Sequence, residues 1–249
     1  MDKDTLNVYF VITLDCNANC SYCYWKYEKD KREKVTHDFK KIRDFLAAQL
    51  TEYKKIKFII YGGEPSVHPL LPYLIYSLFN DYRKFDIDVH MTTNLLKPLE
   101  FWTFIKNYKR LHVTATFHSE QVKNEITWFF QALQLGIKNI VLMKHRDNSE
   151  QIFKIYDYYS RWFSNIKIRP IEQEEKAEYG SWKNYVCYPG YVIRENGDLM
   201  YCWADMKYDK FKIYNIYTDP IKKLSPFRIC PHSTCYCPED RYRVKLGDL

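Results

Sequence analysis

The stretch NVYFVITLDCNANCSYCYW, residues 7–25, joins an apolar run to three closely set cysteines, Cys16, Cys20 and Cys23. NVYFVITL (7–14) is rich in β-branched and aromatic residues and reads as a strand buried on both faces. The cysteines follow at its carboxyl end, separated by three residues and then by two. A structural zinc site takes four ligands. A set of three therefore leaves one coordination position to something else, or borrows a fourth ligand from elsewhere, as a zinc knuckle would.

Apolar and amphipathic runs alternate outward from this stretch. IKFIIY (56–61), DIDVHMTT (86–93), RLHVTATF (110–117), IKNIVLM (137–143) and NIKIRPI (165–171) read as further strands. HDFKKIRDFLAAQL (37–50), LLPYLIYSLF (70–79), LEFWTFIKNY (99–108), EITWFFQALQL (125–135) and SEQIFKIYDYYSRWF (149–163) read as helices, and Gly136 stands at a helix C-terminus. Strict alternation implies parallel strands with right-handed crossovers. Six units are too few to close an eightfold barrel, so the expected fold class is α/β, a partial (β/α)6 TIM-like barrel. Such folds bind ligands at the carboxyl ends of their strands.

The pattern breaks at EQEEKAEYG (172–180), and a boundary is expected near residue 175, giving domains of 1–175 and 176–249. Beyond it, YVIRENGDLMYCW (191–203) reads as a hairpin turning at Asn196-Gly197. The expected second domain is a small β-hairpin-plus-helix iron–sulfur unit.

Three thiolates on one tight loop can hold three corners of a cubic four-iron cluster, leaving the fourth iron open. The C-x3-C-x2-C spacing, with aromatic Tyr22 before the third cysteine, resembles the radical S-adenosylmethionine (radical SAM) superfamily. YGGEP (61–65), directly after the second strand, is similar to that family's G-G-E-P segment. The resemblance covers roughly residues 7–171. It implies that Cys16, Cys20 and Cys23 hold a catalytic [4Fe–4S] cluster and that a 5′-deoxyadenosyl radical abstracts a hydrogen atom from substrate. Gly62, Gly63, Glu64 and Pro65 would bind the methionine amino group, since glycines admit close backbone approach and Glu64 can accept from an ammonium. TTN (92–94) and TFHS (116–119) put Asn94 and Ser119 where the family binds ribose and carboxylate, although either could simply cap a helix. Tyr22 and Arg169 complete the expected cofactor contacts.

The remaining cysteines are Cys187, Cys202, Cys230, Cys235 and Cys237. The C-x9-G-x4-C run through Cys187, Gly197 and Cys202 resembles the start of the auxiliary-cluster domains called twitch and SPASM, and the hairpin turn would make Cys187 and Cys202 neighbours. Five cysteines suffice for one four-cysteine cluster and not for two. The expected ligands are Cys187, Cys202, Cys230 and Cys237, with Cys235 able to replace one of the last two. His232 as a ligand and a zinc ribbon are the other readings. The expected cofactors are thus S-adenosylmethionine and two [4Fe–4S] clusters.

The formal charge is +7, falling to about +4 once two clusters are counted. Placement says more than the total. Lys144, His145 and Arg146 are read as following the fifth strand, Arg169 the sixth and WKYEKDKREK (25–34) the cysteine loop, so a cationic mouth is expected, able to meet an anionic substrate. The expected substrate is an anionic nucleotide or nucleic-acid-borne group, for example amino-acid-modified thymine rearranged in viral DNA, reached by analogy, and it would require a base to be unpaired or flipped. The alternative is a ribosomal peptide or protein side chain, although the few residues before the first strand leave no room for an N-terminal leader-binding domain. Either an isomerase or an oxidoreductase outcome is open. A non-catalytic iron–sulfur or zinc protein that binds nucleic acid is the reading from a different class. A small electron donor such as flavodoxin or ferredoxin is the expected partner. There is no apolar run long enough to span a membrane and no signal peptide, so a cytoplasmic site, in a bacterium or a virus-infected cell, is expected.

Overall fold

The computed structural model describes residues 4–23, 37–80, 86–171, 185–187, 190–202, 211–225, 228–230 and 243–245. Six parallel strands carry the core: β1 (Thr5–Thr13), β2 (Lys55–Gly62), β3 (Ile87–Thr93), β4 (Leu111–Phe117), β5 (Asn139–Lys144) and β6 (Asn165–Pro170). Between them run α1 (Phe39–Gln49), α2 (Leu71–Asn80), α3 (Leu99–Trp102), α4 (Glu125–Gln134) and α5 (Ser149–Tyr159). The order β1-β2-β3-β4-β5-β6 is that of a half-open barrel, and the sheet does not close. The expected helix over 99–108 is split: α3 tightens into a 3-10 turn at Thr103–Asn107. Gly136 takes φ +69° after α4, and its N–H reaches Leu133 C=O at 2.9 Å, as a C-terminal glycine should.

Alternation along the strands sorts side chains between two faces. Phe10, Phe58, Met91, Ala115 and Leu142 face the helices in the main core. Tyr9, Val11 and Ile59 face the inside of the half-barrel, where they pack with Val192 and Met200.

The hairpin departs from the expectation of a separate domain. β8 (Tyr191–Ile193) pairs in parallel with β1, and β9 (Asp198–Met200) and β10 (Lys212–Asn215) continue antiparallel, extending the main sheet to nine strands. The physical reason is burial on both faces: Tyr191, Val192 and Ile193 are all fully buried. The boundary expected near residue 175 lies outside the described residues. A second, three-stranded sheet orders β11 (Arg228–Ile229), β7 (Tyr185–Cys187) and β12 (Arg243–Lys245). No helix among the described residues is long and apolar enough to cross a membrane.

Two half-buried imidazoles make folding pH-dependent. Burial, with His68 beside it, lowers His37 to about 4. Burial, then Lys57 and the stacked ring of His112 at 4.6 Å, lowers His90 to about 4. Both folded values lie below the unfolded value of about 6.5. The stability they contribute is therefore complete above pH 6.5 and is lost as pH falls towards 4, because the unfolded chain binds the protons. The loss is at most about 3 kcal/mol for each group. Melting temperature should fall measurably between pH 6.5 and 5, and a flat profile there would contradict the assignment.

Candidate metal and cofactor site

The cysteine loop, residues 14–23, leaves the carboxyl end of β1, and Cys20 is buried while Cys16 and Cys23 are half-buried. Cys20 is pushed up to about 12, first by burial and then by the thiolates of Cys23 and Cys16. The Cys16 sulfur accepts from the Ala18 N–H at 3.4 Å and lies 3.9 Å from Asn94 Nδ2. Among the described residues, no three His, Cys, Asp or Glu side chains converge where one metal ion could sit. A cubic cluster makes a different demand, because each thiolate takes its own iron. Three thiols that crowd one another electrostatically, with N–H donors at Cys16, fit such a group: bound iron removes the protons that burial and mutual repulsion otherwise retain.

The G-G-E-P segment braces this loop. Gly63 N–H donates to Thr13 C=O at 2.7 Å, and Glu64 N–H donates to Asp15 C=O at 2.7 Å. A Cβ at Gly62 would lie 2.2 Å from the Thr13 carbonyl oxygen, and one at Gly63 would lie 2.3 Å from that of Asp15. The glycines thus admit the backbone of the cysteine loop, where the sequence pointed to a ligand. Pro65 opens a 3-10 turn, Pro65–Val67.

Glu64 makes several protein contacts of its own. Its side chain is buried and accepts from Ser66 N–H (3.0 Å), the Thr93 hydroxyl (2.7 Å) and Asn94 N–H (2.6 Å). Burial raises its carboxyl, opposed by those donors. The carboxylate ties the end of β2 to the end of β3. Asn94, expected at ribose or carboxylate, is likewise committed to protein. Its Nδ2 donates to Asn17 Oδ1 at 2.8 Å, its Oδ1 accepts from Leu96 N–H, and its carbonyl accepts from Trp128 Nε1. The next residue, Leu95, is buried with φ +57°, a strained conformation for a side-chain-bearing residue. Leu95 N–H donates to Thr93 Oγ1 and its carbonyl accepts from Gln131, which hold the turn that aims Asn94 at the loop.

The loop after β4 contributes residues that the sequence did not single out. His118 Nδ1 lies 2.9 Å from the Tyr22 hydroxyl, and His118 Nε2 lies 3.1 Å from Thr116 Oγ1. The Thr116 hydroxyl donates to Thr93 C=O. A carbonyl only accepts, so Thr116 must receive from Nε2–H, and Nδ1 of the neutral ring accepts from Tyr22. Burial lowers His118 to about 4 and keeps it neutral. Glu120 and Gln121 bind Ser21 and Asn19, and Glu195, from the β8–β9 turn, accepts from Leu14 N–H at 3.2 Å. Their only sequence signal is position, directly after a strand end.

Ser119 accepts from Asn148 Nδ2 at 2.8 Å. His145 packs its ring 5.4 Å from that of Tyr22, with Nε2 3.5 Å from Glu120. Lys144 does not join the expected cationic mouth. It shares the alternation of Ile140 and Leu142 and lies 5.5 Å over the Phe153 ring of α5, on the helix side. Arg169 is exposed on β6, alternating with Ile166 and Ile168, which pack towards the helices. The side chain of Arg146 lies outside the described residues.

Of the second cysteine set, Cys202 and Cys230 are buried, just beyond the ends of β9 and β11. Cys187 is not on the hairpin with Cys202. It ends β7 in the three-stranded sheet, opposite Arg228, two residues from Cys230. The side chain of Cys187, and all of His232, Cys235 and Cys237, lie outside the described residues.

A family model described as the Radical SAM superfamily matches residues 10–155. No curated protein matches. Among solved structures, native anSMEcpe with bound AdoMet and Cp18Cys peptide superposes with a TM-score of 0.64 at 14% identity, covering 86% of this chain and 78% of that one. Streptococcus suis SuiB bound to precursor peptide SuiA gives a TM-score of 0.51 at 11% identity, covering 87% of this chain and 63% of that one.

Proposed function

The chain belongs to the radical SAM superfamily, an enzyme superfamily, and from that premise we propose that it abstracts a hydrogen atom from a side chain borne on a peptide or protein. The carrying observation is the cysteine loop at the carboxyl end of β1, braced through Gly62 and Gly63. When bound, the [4Fe–4S] cluster and S-adenosylmethionine supply a 5′-deoxyadenosyl radical. Cys16, Cys20 and Cys23 hold the cluster, and Asn94 Nδ2 orients Cys16 as an outer hydrogen-bond donor. Glu64 holds Thr93 and Asn94 in place beneath it. Gly62–Pro65, Tyr22, Ser119 and Arg169 border the place for S-adenosylmethionine.

The peptide reading draws support from two like-folded proteins solved with peptides. It also suits an inner face with an apolar side at Tyr9, Val11 and Ile59 and hydrogen-bonding side chains on the later strands, such as His112, Thr114 and Thr116. The turn of Lys144 towards α5 removes one cation from the argument for an anionic substrate. Exposed Lys167 and Arg169 and the formal charge of +7 are what favour modified DNA. Isomerase and oxidoreductase outcomes begin with the same abstraction, and a flavodoxin or ferredoxin would supply the electron.

Cys187, Cys202, Cys230 and Cys237, with Cys235 able to replace one of the last two, serve one auxiliary cluster in a twitch-like arrangement. Cys202 and Cys230 support this by being buried.

Formation of 5′-deoxyadenosine by the anaerobically reconstituted chain, with reductant, separates the substrate readings. A mixed peptide library should raise it severalfold over background, and modified or single-stranded DNA should not. Stimulation by DNA alone, with an affinity that falls as salt rises, would overturn the peptide reading.

A further inference from the structure

Five residues lie between the cysteines, and three of them are gripped by one neighbouring loop. Gln121 Oε1 accepts from the Asn19 N–H at 3.1 Å. The two oxygens of Glu120 accept from the Ser21 N–H at 2.9 Å and the Ser21 hydroxyl at 2.6 Å. His118 takes the Tyr22 hydroxyl at 2.9 Å. Ser119, in the middle, turns to Asn148 instead. The start of the cysteine loop is held separately by Gly63, Glu64 and Asn94. Without residues 118–121, its second half would have none of these bonds.

A carboxylate is a costly choice here, because Glu120 sits close enough to raise the Cys20 thiol further. A negative charge beside three thiolate ligands works against metal binding unless it contributes something else. Its two bonds to Ser21 are that contribution: a charged acceptor makes stronger hydrogen bonds than a neutral one. Burial alone would raise Glu120, yet the Ser21 hydroxyl and N–H, with His145 and His118 nearby, hold it below the ordinary carboxylate range.

We propose that residues 118–121 are a preorganising clamp that sets the second half of the cysteine loop before iron arrives, with Glu120 and Gln121 as positioning residues for the metal centre. Fixing a free loop costs conformational entropy for every residue ordered, and a ligand that must order its own site binds more weakly. The clamp places that cost on folding. This rests on Cys16, Cys20 and Cys23 being the cluster ligands.

The experiment has two arms on the full chain. In the metal-free protein, amide hydrogen exchange at Asn19 and Ser21 is compared for wild type, Glu120→Ala, Gln121→Ala and Gln121→Glu. After anaerobic loading with ferrous iron and sulfide, the rate of iron loss to a chelator is followed for the same set. Glu120→Ala should speed exchange at Ser21 by about tenfold and iron loss by about as much. Gln121→Ala should act at Asn19 in the same direction, so the arms stand even if Glu120→Ala fails to fold. Gln121→Glu, which keeps the acceptor, should restore wild-type exchange at Asn19. Unchanged exchange at both amides, or faster exchange with unchanged iron loss, overturns the clamp. A wild-type chain that takes up no iron overturns the ligand assignment itself, and is recognised by that result alone.

Discussion

Serine in place of Cys20 is expected to leave a folded protein that forms 5′-deoxyadenosine at least about a thousandfold more slowly than wild type. Cys20 is buried, and its thiol is already pushed up to about 12 by burial and by Cys23 and Cys16. Iron can pull a proton from such a thiol because the iron–thiolate bond repays the deprotonation. A serine hydroxyl ionises far less readily and is a poor ligand for iron–sulfur clusters, which are built on thiolates. The near-isosteric change removes little packing, so melting temperature should shift by only a few degrees while iron content collapses. Cys16→Ser and Cys23→Ser should follow the same pattern. Iron retained at the wild-type level with normal turnover would show that the three thiols are not the ligands.

Gly63→Ala should carry a large effect for a substitution outside the cysteines. The added methyl would meet the Asp15 carbonyl oxygen at 2.3 Å and that of Leu14 at 2.6 Å. Both contacts are backbone, so no rotamer change relieves them. The loop must move away from the end of β2, breaking the Gly63–Thr13 and Glu64–Asp15 hydrogen bonds. We expect about 3 kcal/mol of destabilisation, together with a loss of reconstituted iron that Gly136→Ala does not cause: a Cβ there meets nothing within 4 Å, and its cost is the strain of φ +69° at the end of α4. Equal iron content in the two variants would mean that this brace does not position the cysteines.

Much of this architecture is written in local pattern. The β/α alternation is legible because each parallel strand is an apolar run between capped helices, such as the one that Asn124 opens by accepting from Thr127 N–H at 2.9 Å. The carboxyl-end position of the cysteines follows directly. Lys144 was within reach of the same reasoning: two residues beyond Leu142, it must share that residue's face, and the expected cationic mouth overlooked the alternation. The fate of the hairpin was not legible. Three residues of β8 carry no period, and their pairing with β1 is a tertiary fact. Nor were the roles of Glu64, Asn94, Glu120 and Gln121 legible. These side chains bond loop to loop across stretches of 29 to 102 residues, and no local spacing records such partners. Gly62 and Gly63 were legible as sites of close approach, though what approaches is the cysteine loop itself.

The most direct test of the central claim is to reconstitute the wild-type chain anaerobically, add S-adenosylmethionine and a strong reductant, and quantify 5′-deoxyadenosine. A brown protein is expected, with about seven to eight irons per chain if both clusters form, releasing 5′-deoxyadenosine in a reaction that Cys20→Ser abolishes. A colourless protein holding zinc, with S-adenosylmethionine recovered intact, would contradict the account.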